Sequence, residues 1–385
     1  MPSGTLAAPQ VQEKPAQVND RMPASLVPFV RASDENLQSG NVDQTRTLTA
    51  SQQDLGVFDV TAYGYIRWLY LHVTCTTASN AATVTFAEDG PYNVLQNIAL
   101  TEPNGAYIVQ LTSGYEAYLI NKYGGYVHPV ASDPERSPTY SATAGAGATG
   151  GSFSFILRIP VEVSGRDGVG SLANQDAAGP FKLRLSLSTS ALPYGTPPTN
   201  AGSVRVRAYL SAWDQPEQAS GGLANQTEPS GNGTTSFWSV QSGITVNAGE
   251  NVIELKRRGN YLRQIIMILR RAGTSRANGE SDWPAETRFL RDAFPARYYS
   301  NDVWKHIMFE RTGYTGTADG PGAPENGVRF HDYMHEFDGA LGRENRDLWQ
   351  PTRGSTRLEI AGNFGTAGTL TVITNDVAIA QDVFL

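Results

Sequence analysis

The chain has 385 residues, of which 40% are hydrophobic and 17% charged, and carries a net charge of −7. That apolar share builds a real core, and the length fits two ordinary domains or one large all-β unit. The acidic balance argues against a basic face for nucleic acid, and a single cysteine excludes an intrachain disulfide and a Cys-based zinc site.

Residues 1–42 are rich in Pro, Ala, Gln and Ser, with little periodicity. They are expected to form an arm that orders only against something else. The short apolar patch from Met22 to Val30 is expected to be able to dock on a partner. The first residues have no basic region followed by an apolar block, so no secretory leader is expected. No run approaches ~20 apolar residues, so no helix is expected to span a bilayer.

Strand signals follow. Thr45–Thr49 alternates, then Leu55–Val60. Tyr65–Thr76 is a β-branched and aromatic run that carries Cys75, expected as a small core residue. Thr83–Phe86, Tyr92–Leu100 and Ala106–Leu111 come next, the last two divided by the turn sequence Glu102-Pro103-Asn104-Gly105. Thr112–Tyr123 has helical spacing, with Tyr115, Tyr118 and Leu119 on one face, a Ser/Thr cap and Gly124-Gly125 at its end. Phe153–Val163, Phe181–Leu187 and Val204–Leu210 alternate again.

Residues 215–235 hold Pro, Gly, Asn and Ser and few large apolar side chains, and are expected as a linker. Strand signals then restart at Phe237–Val246, Val252–Leu255, Leu262–Leu269, Arg288–Phe294, Val328–Phe337, Arg357–Ala361 and Thr369–Thr374. Asn301–Arg311 is a second helix, with Val303, Ile307 and Glu310 along one side.

The two halves rhyme. Gly64-Tyr-Ile-Arg-Trp-Leu-Tyr-Leu matches Asn260-Tyr-Leu-Arg-Gln-Ile-Ile-Met in type. Each half continues through strands, a helix, a long loop, a charged Gly-rich turn and a last alternating strand. The expected fold is all-β: two tandem eight-stranded jelly rolls with one short helix in each. The expected division is an arm at 1–42, a first roll at 43–214, a linker at 215–235 and a second roll at 236–385.

The stretch Ala87-Glu-Asp-Gly-Pro-Tyr-Asn-Val-Leu-Gln-Asn-Ile-Ala-Leu, the turn EPNGAYIV and the helix LTSGYEAYLINKYGGY resemble the first roll of double jelly-roll major capsid proteins. The likeness is to tailless, internal-membrane icosahedral bacteriophages of the tectivirus type. It is clearest over residues 55–126. The resemblance implies a homotrimer whose six rolls form a pseudo-hexagonal tile of an icosahedral shell. Implied partners are neighbouring capsomers, minor capsid proteins and, for the N-terminal arm, an internal membrane. No specific nucleic acid is expected. The resemblance places the protein in the virion, after synthesis in the host cytoplasm. The loops at 129–152, 189–202, 271–284 and 312–327 are candidates for the outer face or for trimer clasping.

One motif points elsewhere. Phe330-His-Asp-Tyr-Met-His-Glu-Phe337 is close to the H-E-x-x-H zinc signature, which works on a helix. Here the flanks alternate as a strand, which holds His331 and His335 about 13 Å apart. Asp332 stands where the protease has Glu. No metal site is assigned. No G-x-S-x-G elbow or P-loop occurs, so no catalytic or cofactor-binding residue is assigned. The alternative function is a glycan-binding or glycan-cleaving β-sandwich, with Trp283, Tyr298 and Tyr299 as sugar-stacking candidates. The basic run Lys256-Arg257-Arg258, with Arg263, Arg270 and Arg271 nearby, is either a contact for phosphate or lipid headgroups or, as expected here, a solvated or interface-paired patch. Asn225 and Asn232 match the glycosylation sequon but are read as loop composition.

Overall fold

The computed structural model describes residues 35–78, 80–126, 132–163, 168–214, 233–271, 275–277, 279–312, 314, 327–334 and 346–379. The patch at Met22–Val30, both sequons, most of the linker and His335 lie outside the described residues.

The first half contains β1 (Glu35–Thr47), β2 (Gln53–Asp59), β3 (Tyr65–Thr76), β4 (Asn80–Phe86), β5 (Leu95–Thr101) and β6 (Tyr107–Ser113). Helix α1 (Gly114–Tyr123) follows, then β7 (Phe153–Pro160), β8 (Lys182–Leu187) and β9 (Ser203–Trp213). One sheet runs β1-β9-β3-β7. The facing strands run β6-β5-β8-β2. Leaving out β4, the first strand pairs with the eighth, the eighth with the third and the third with the sixth, while the second, seventh, fourth and fifth form the opposite sheet. This is a jelly roll. β4 belongs to a small side sheet with Tyr194–Thr196 and Gly145–Gly147.

The second half repeats the order. It contains β10 (Thr235–Val246), β11 (Gly249–Glu254), β12 (Tyr261–Arg271), β13 (Glu286–Arg291), β14 (Phe294–Ser300), α2 (Asn301–Thr312), β15 (Val328–Asp332), β16 (Leu358–Phe364) and β17 (Gly368–Ala378). The sheets run β15-β12-β17-β10 and β11-β16-β13-β14. The pairing scheme is the same, and in both rolls the helix lies between the fifth and sixth strands. The chain is a double jelly roll.

The rolls are joined by a strand pair. β10 lies parallel to β6, with Trp238 beside Val109, so two half-rolls merge into one nine-stranded sheet. This explains the unbroken apolar text of β12. Ile265, Met267 and Leu269 point into the second roll's core, while Ile266 and Ile268 join the core cluster of the first roll. A strand buried on both faces has no polar alternation. In β3, by contrast, Leu69, Leu71 and Val73 face the core, and Trp68, Tyr70 and His72 are only half-buried on the outer face.

Four expectations need correction. β1 begins at Glu35, within the stretch expected as arm, and pairs with β9 from the outset. The run Arg288–Phe294 is the corner of a hairpin, with Asp292 and Ala293 at its tip. The strand expected over Val328–Phe337 ends at Asp332, with Tyr333 and Met334 in a bend and the rest outside the described residues. On α2 the buried side chains are Trp304 and Met308, and Val303 is 54% exposed. The Trp304 indole donates to the Phe330 carbonyl at 2.8 Å and seats the helix on β15.

Candidate assembly surface

The side chains that suggested chemistry are occupied otherwise. His331 lies on β15, opposite Ile265, and its ring packs 4.0 Å from Phe289. Burial, with Arg297 adding to it, holds its imidazole well below the usual pKa and therefore neutral. The Asp332 carboxylate accepts from the Met334 backbone N–H at 2.8 Å. His335 and Glu336 are outside the described residues. No group of three His, Cys, Asp or Glu side chains placed to hold a metal occurs among the described residues.

Cys75 is buried, and desolvation pushes its thiol up to about 11, which suits a small core residue rather than a nucleophile. Trp283 is buried against Phe364 and offers no open stacking face. Tyr299 is half-buried between the two cores, and the Tyr298 side chain lies outside what is described. The basic residues are paired: Arg257 with Asp376, Arg258 with Glu254, Arg270 with Asp89 and Arg271 with Asp282.

What the fold does build is a seam between rolls, centred on α1. Ser113 caps the helix, and Glu116 completes a capping box. Burial raises the Glu116 carboxyl to about 7 against the opposing hydrogen bonds from Thr112 and Ser113. On one side α1 is fixed to β7: Asn121 accepts from the Arg158 N–H and donates to the Arg158 carbonyl, both at 2.7 Å.

On the other side α1 meets the second roll. The last carbonyls of the helix, Tyr123 and Gly124, accept from Gln264 Nε2 at 2.6 Å and Arg263 Nη2 at 3.0 Å. A cation and a donor at a helix C-terminus satisfy orphan carbonyls and complement the helix dipole. The Tyr123 ring stacks on Phe330 at 4.4 Å. The Trp238 indole donates to the Tyr126 hydroxyl at 2.9 Å. At the far end of the seam, Arg276 donates to the Tyr115 hydroxyl at 2.6 Å and to the Glu88 carbonyl at 2.7 Å, beside Asp89. Of the basic residues named from the sequence, Arg263 and Arg270 serve the contact between rolls, while Arg257, Arg258 and Arg271 pair within the second roll.

The trace this seam leaves in the sequence is the run of β12 that is apolar on both faces, with Arg263 and Gln264 ahead of it.

Outside the seam, edges remain open among the described residues: there β1, β2, β11, β14 and β15 each pair with a neighbour on one side only. Large apolar side chains stand exposed on four of these: Leu37 on β1, Val57 on β2, Val252 on β11 and Phe294 on β14. Val303 and Phe309 project from α2, and Tyr107 stands at the start of β6. Open strand edges with apolar side chains are templates for pairing and are normally covered.

No protein-family model matches the sequence, and no curated protein matches it. Solved structures do match the fold. The STIV MCP aligns at TM-score 0.59 and 13% identity, over 90% of this chain and 97% of that one. The major capsid protein P2 from bacteriophage PM2 aligns at 0.51 and 10% identity, over 91% and 99%. PBCV-1 VP54 aligns at 0.57 and 6% identity, over 90% and 94%. At these identities the likeness is one of fold, and it spans both rolls.

Proposed function

We propose that the chain is the major coat subunit of an icosahedral virus. The observation that carries this reading is the fused pair of like rolls, which matches STIV MCP and PM2 P2 over nine-tenths of its length. The role is structural and not enzymatic. A rigid seam holds two rolls in fixed ratio and orientation, while edges on both sides stay open for further copies. Three such chains would close six rolls into a pseudo-hexagonal tile, since a head-to-tail contact forms a ring when its rotation closes. The tile would meet neighbouring capsomers and minor capsid proteins in the virion.

In this reading residues 1–34 form the arm, directed toward an internal membrane, residues 215–232 link the rolls, and synthesis takes place in the host cytoplasm. The net charge of −7 fits a shell that does not grip nucleic acid. Light scattering of the purified chain tests the reading: the expected mass is three times the 41.5 kDa of one chain. A stable monomer that binds or cleaves an oligosaccharide would replace it with the glycan reading.

A further inference from the structure

We infer that α2 and the open edge of β14 dock on the outer face of β1, β9, β3 and β7 of a second copy, repeating the contacts of the internal seam. This inference rests on the capsomer reading and adds the residues that make the contact.

Strand register relates each position in one roll to a position in the other. Tyr70 pairs with Tyr209 and Arg158 in the first roll; Ile266 pairs with Ile373 and Phe330 in the second. Ile266, Ile373 and Phe330 belong to the dry centre of the seam. Tyr70 and Tyr209 sit at the same places on the first roll but are only half-buried, with no roll against them.

The β1 edge gives the sharpest contrast. Leu37 pairs with Ser211, and its counterpart Trp238 pairs with Asn375. Trp238 is 1% exposed in the seam and Leu37 is 60% exposed.

The two helices correspond in the same way. Asn121 of α1 donates to the Arg158 carbonyl, and Trp304 of α2 donates to the Phe330 carbonyl, which is the equivalent atom. Both helices therefore anchor at the same point of their own sixth strand, α1 near its C-terminus and α2 near its N-terminus. The outward side of α1 is buried by the second roll. That of α2 exposes Val303 and Phe309.

Four other exposed residues come in matched pairs. Val57 and Val252 are both exposed on the second strand, at 58% and 55%. Tyr107 and Phe294 are both exposed at the start of the fifth strand. A site exposed in both rolls is one that the seam geometry never covers, so these pairs mark the tile's perimeter. Among the unmatched residues, Leu192 lies in the loop between the seventh and eighth strands, away from the seam positions, whereas Leu37, Val303 and Phe309 stand on the elements the seam uses and mark the two halves of one heterologous interface. Charge fits as well: Asp302 and Glu310 flank the exposed side of α2, and Arg158 and Arg207 lie on the receiving face. Tyr- and Arg-rich composition is typical of interface centres.

The test is the solution mass of the full chain. Wild type is expected at the mass of three chains. Leu37→Arg with Phe309→Arg, which sets like charges against each other and against Arg158 and Arg207, is expected at the mass of one, with unchanged circular dichroism. Val57→Arg with Val252→Arg is expected to keep the mass of three. If the charged docking variant does not fold, Leu37→Ala with Phe309→Ala is expected to weaken the trimer by about tenfold or more, on the order of 1.4 kcal/mol. A docking variant that folds and keeps the wild-type trimer overturns this interface and leaves the capsomer reading standing. A wild-type monomer overturns both.

Discussion

Arg67 and Arg263 occupy the same position in the two rolls. Each is the residue passed over by a β-bulge in the third strand: Ser211 and Ala212 pair with Trp68 and Ile66, and Asn375 and Asp376 pair with Gln264 and Leu262. Each also accepts, through its carbonyl, a backbone N–H just beyond the sixth strand, from Val161 and from Tyr333. Bulges re-aim side chains, and here the two arginines have diverged. Arg67 stays within its roll, bonded to Glu162 and held 4.0 Å from both Trp68 and Trp213. Arg263 reaches the end of α1 in the other roll. One repeat uses the position for its own stability and the other for the seam.

The Arg67 site should show strong coupling. Glu162 is buried and accepts from both Arg67 and Trp213. Arg67→Met leaves that carboxylate uncompensated, which costs about 3–5 kcal/mol. Adding Glu162→Met should recover most of the loss, because the second roll already carries Met334 at the equivalent place. Chemical denaturation of the two single variants and the double variant measures this.

The β13–β14 hairpin should gain from a glycine. Asp292 and Ala293 both have positive φ, 52° and 68°. That is the turn normally supplied by Asn-Gly or Asp-Gly. The Asp292 carboxylate holds the turn by accepting from the backbone of Thr356 and Arg357. Ala293→Gly should therefore stabilise the chain by about 0.5–1 kcal/mol, read as a higher unfolding midpoint. A loss would contradict the left-handed assignment.

Two buried groups should pull stability in opposite directions with pH. Glu116 has a folded pKa raised from 4.5 to about 7. Between those values the folded chain keeps a proton that the unfolded chain releases, so stability falls as pH rises. Glu116→Gln retains a capping side chain, and its advantage over wild type should be larger near pH 8 than near pH 4. His331 is depressed below 6.5, so its contribution is lost as pH falls below that value. His331→Leu should help most at acid pH. Thermal melts across pH check both.

Truncations should separate the arm from the first strand. Removing residues 1–34 spares β1 and should leave the trimer mass unchanged. Removing residues 1–40 also takes Leu37 and its pairing with Ser211, and should reduce the mass to one chain. Equal behaviour of the two truncations would contradict the role given to Leu37.

Much of this architecture was legible because burial on one face leaves a period of two. β3 follows the expected range residue for residue, and α1 announces itself by its Ser/Thr cap, its tyrosine face and the glycines at its end. The first part of β1, ENLQSGNV, was not legible, since an edge strand with polar side chains has no apolar alternation. The hairpin at Asp292 was missed because Ala293 replaces the glycine that signals such a turn. The pairing of β6 with β10 has no local signature at all, since it joins segments more than a hundred residues apart. Of FHDYMHEF only the first part follows the expected strand: Phe330, His331 and Asp332 end β15 with His331 buried, and the stretch from His335 lies outside the described residues.

If like rolls repeat one seam around a ring, class averages from electron micrographs of the purified wild-type protein should show a six-lobed particle with three-fold symmetry, its lobes evenly spaced. A two-lobed particle, or a closed assembly in which second rolls contact only second rolls, would contradict the repeated seam.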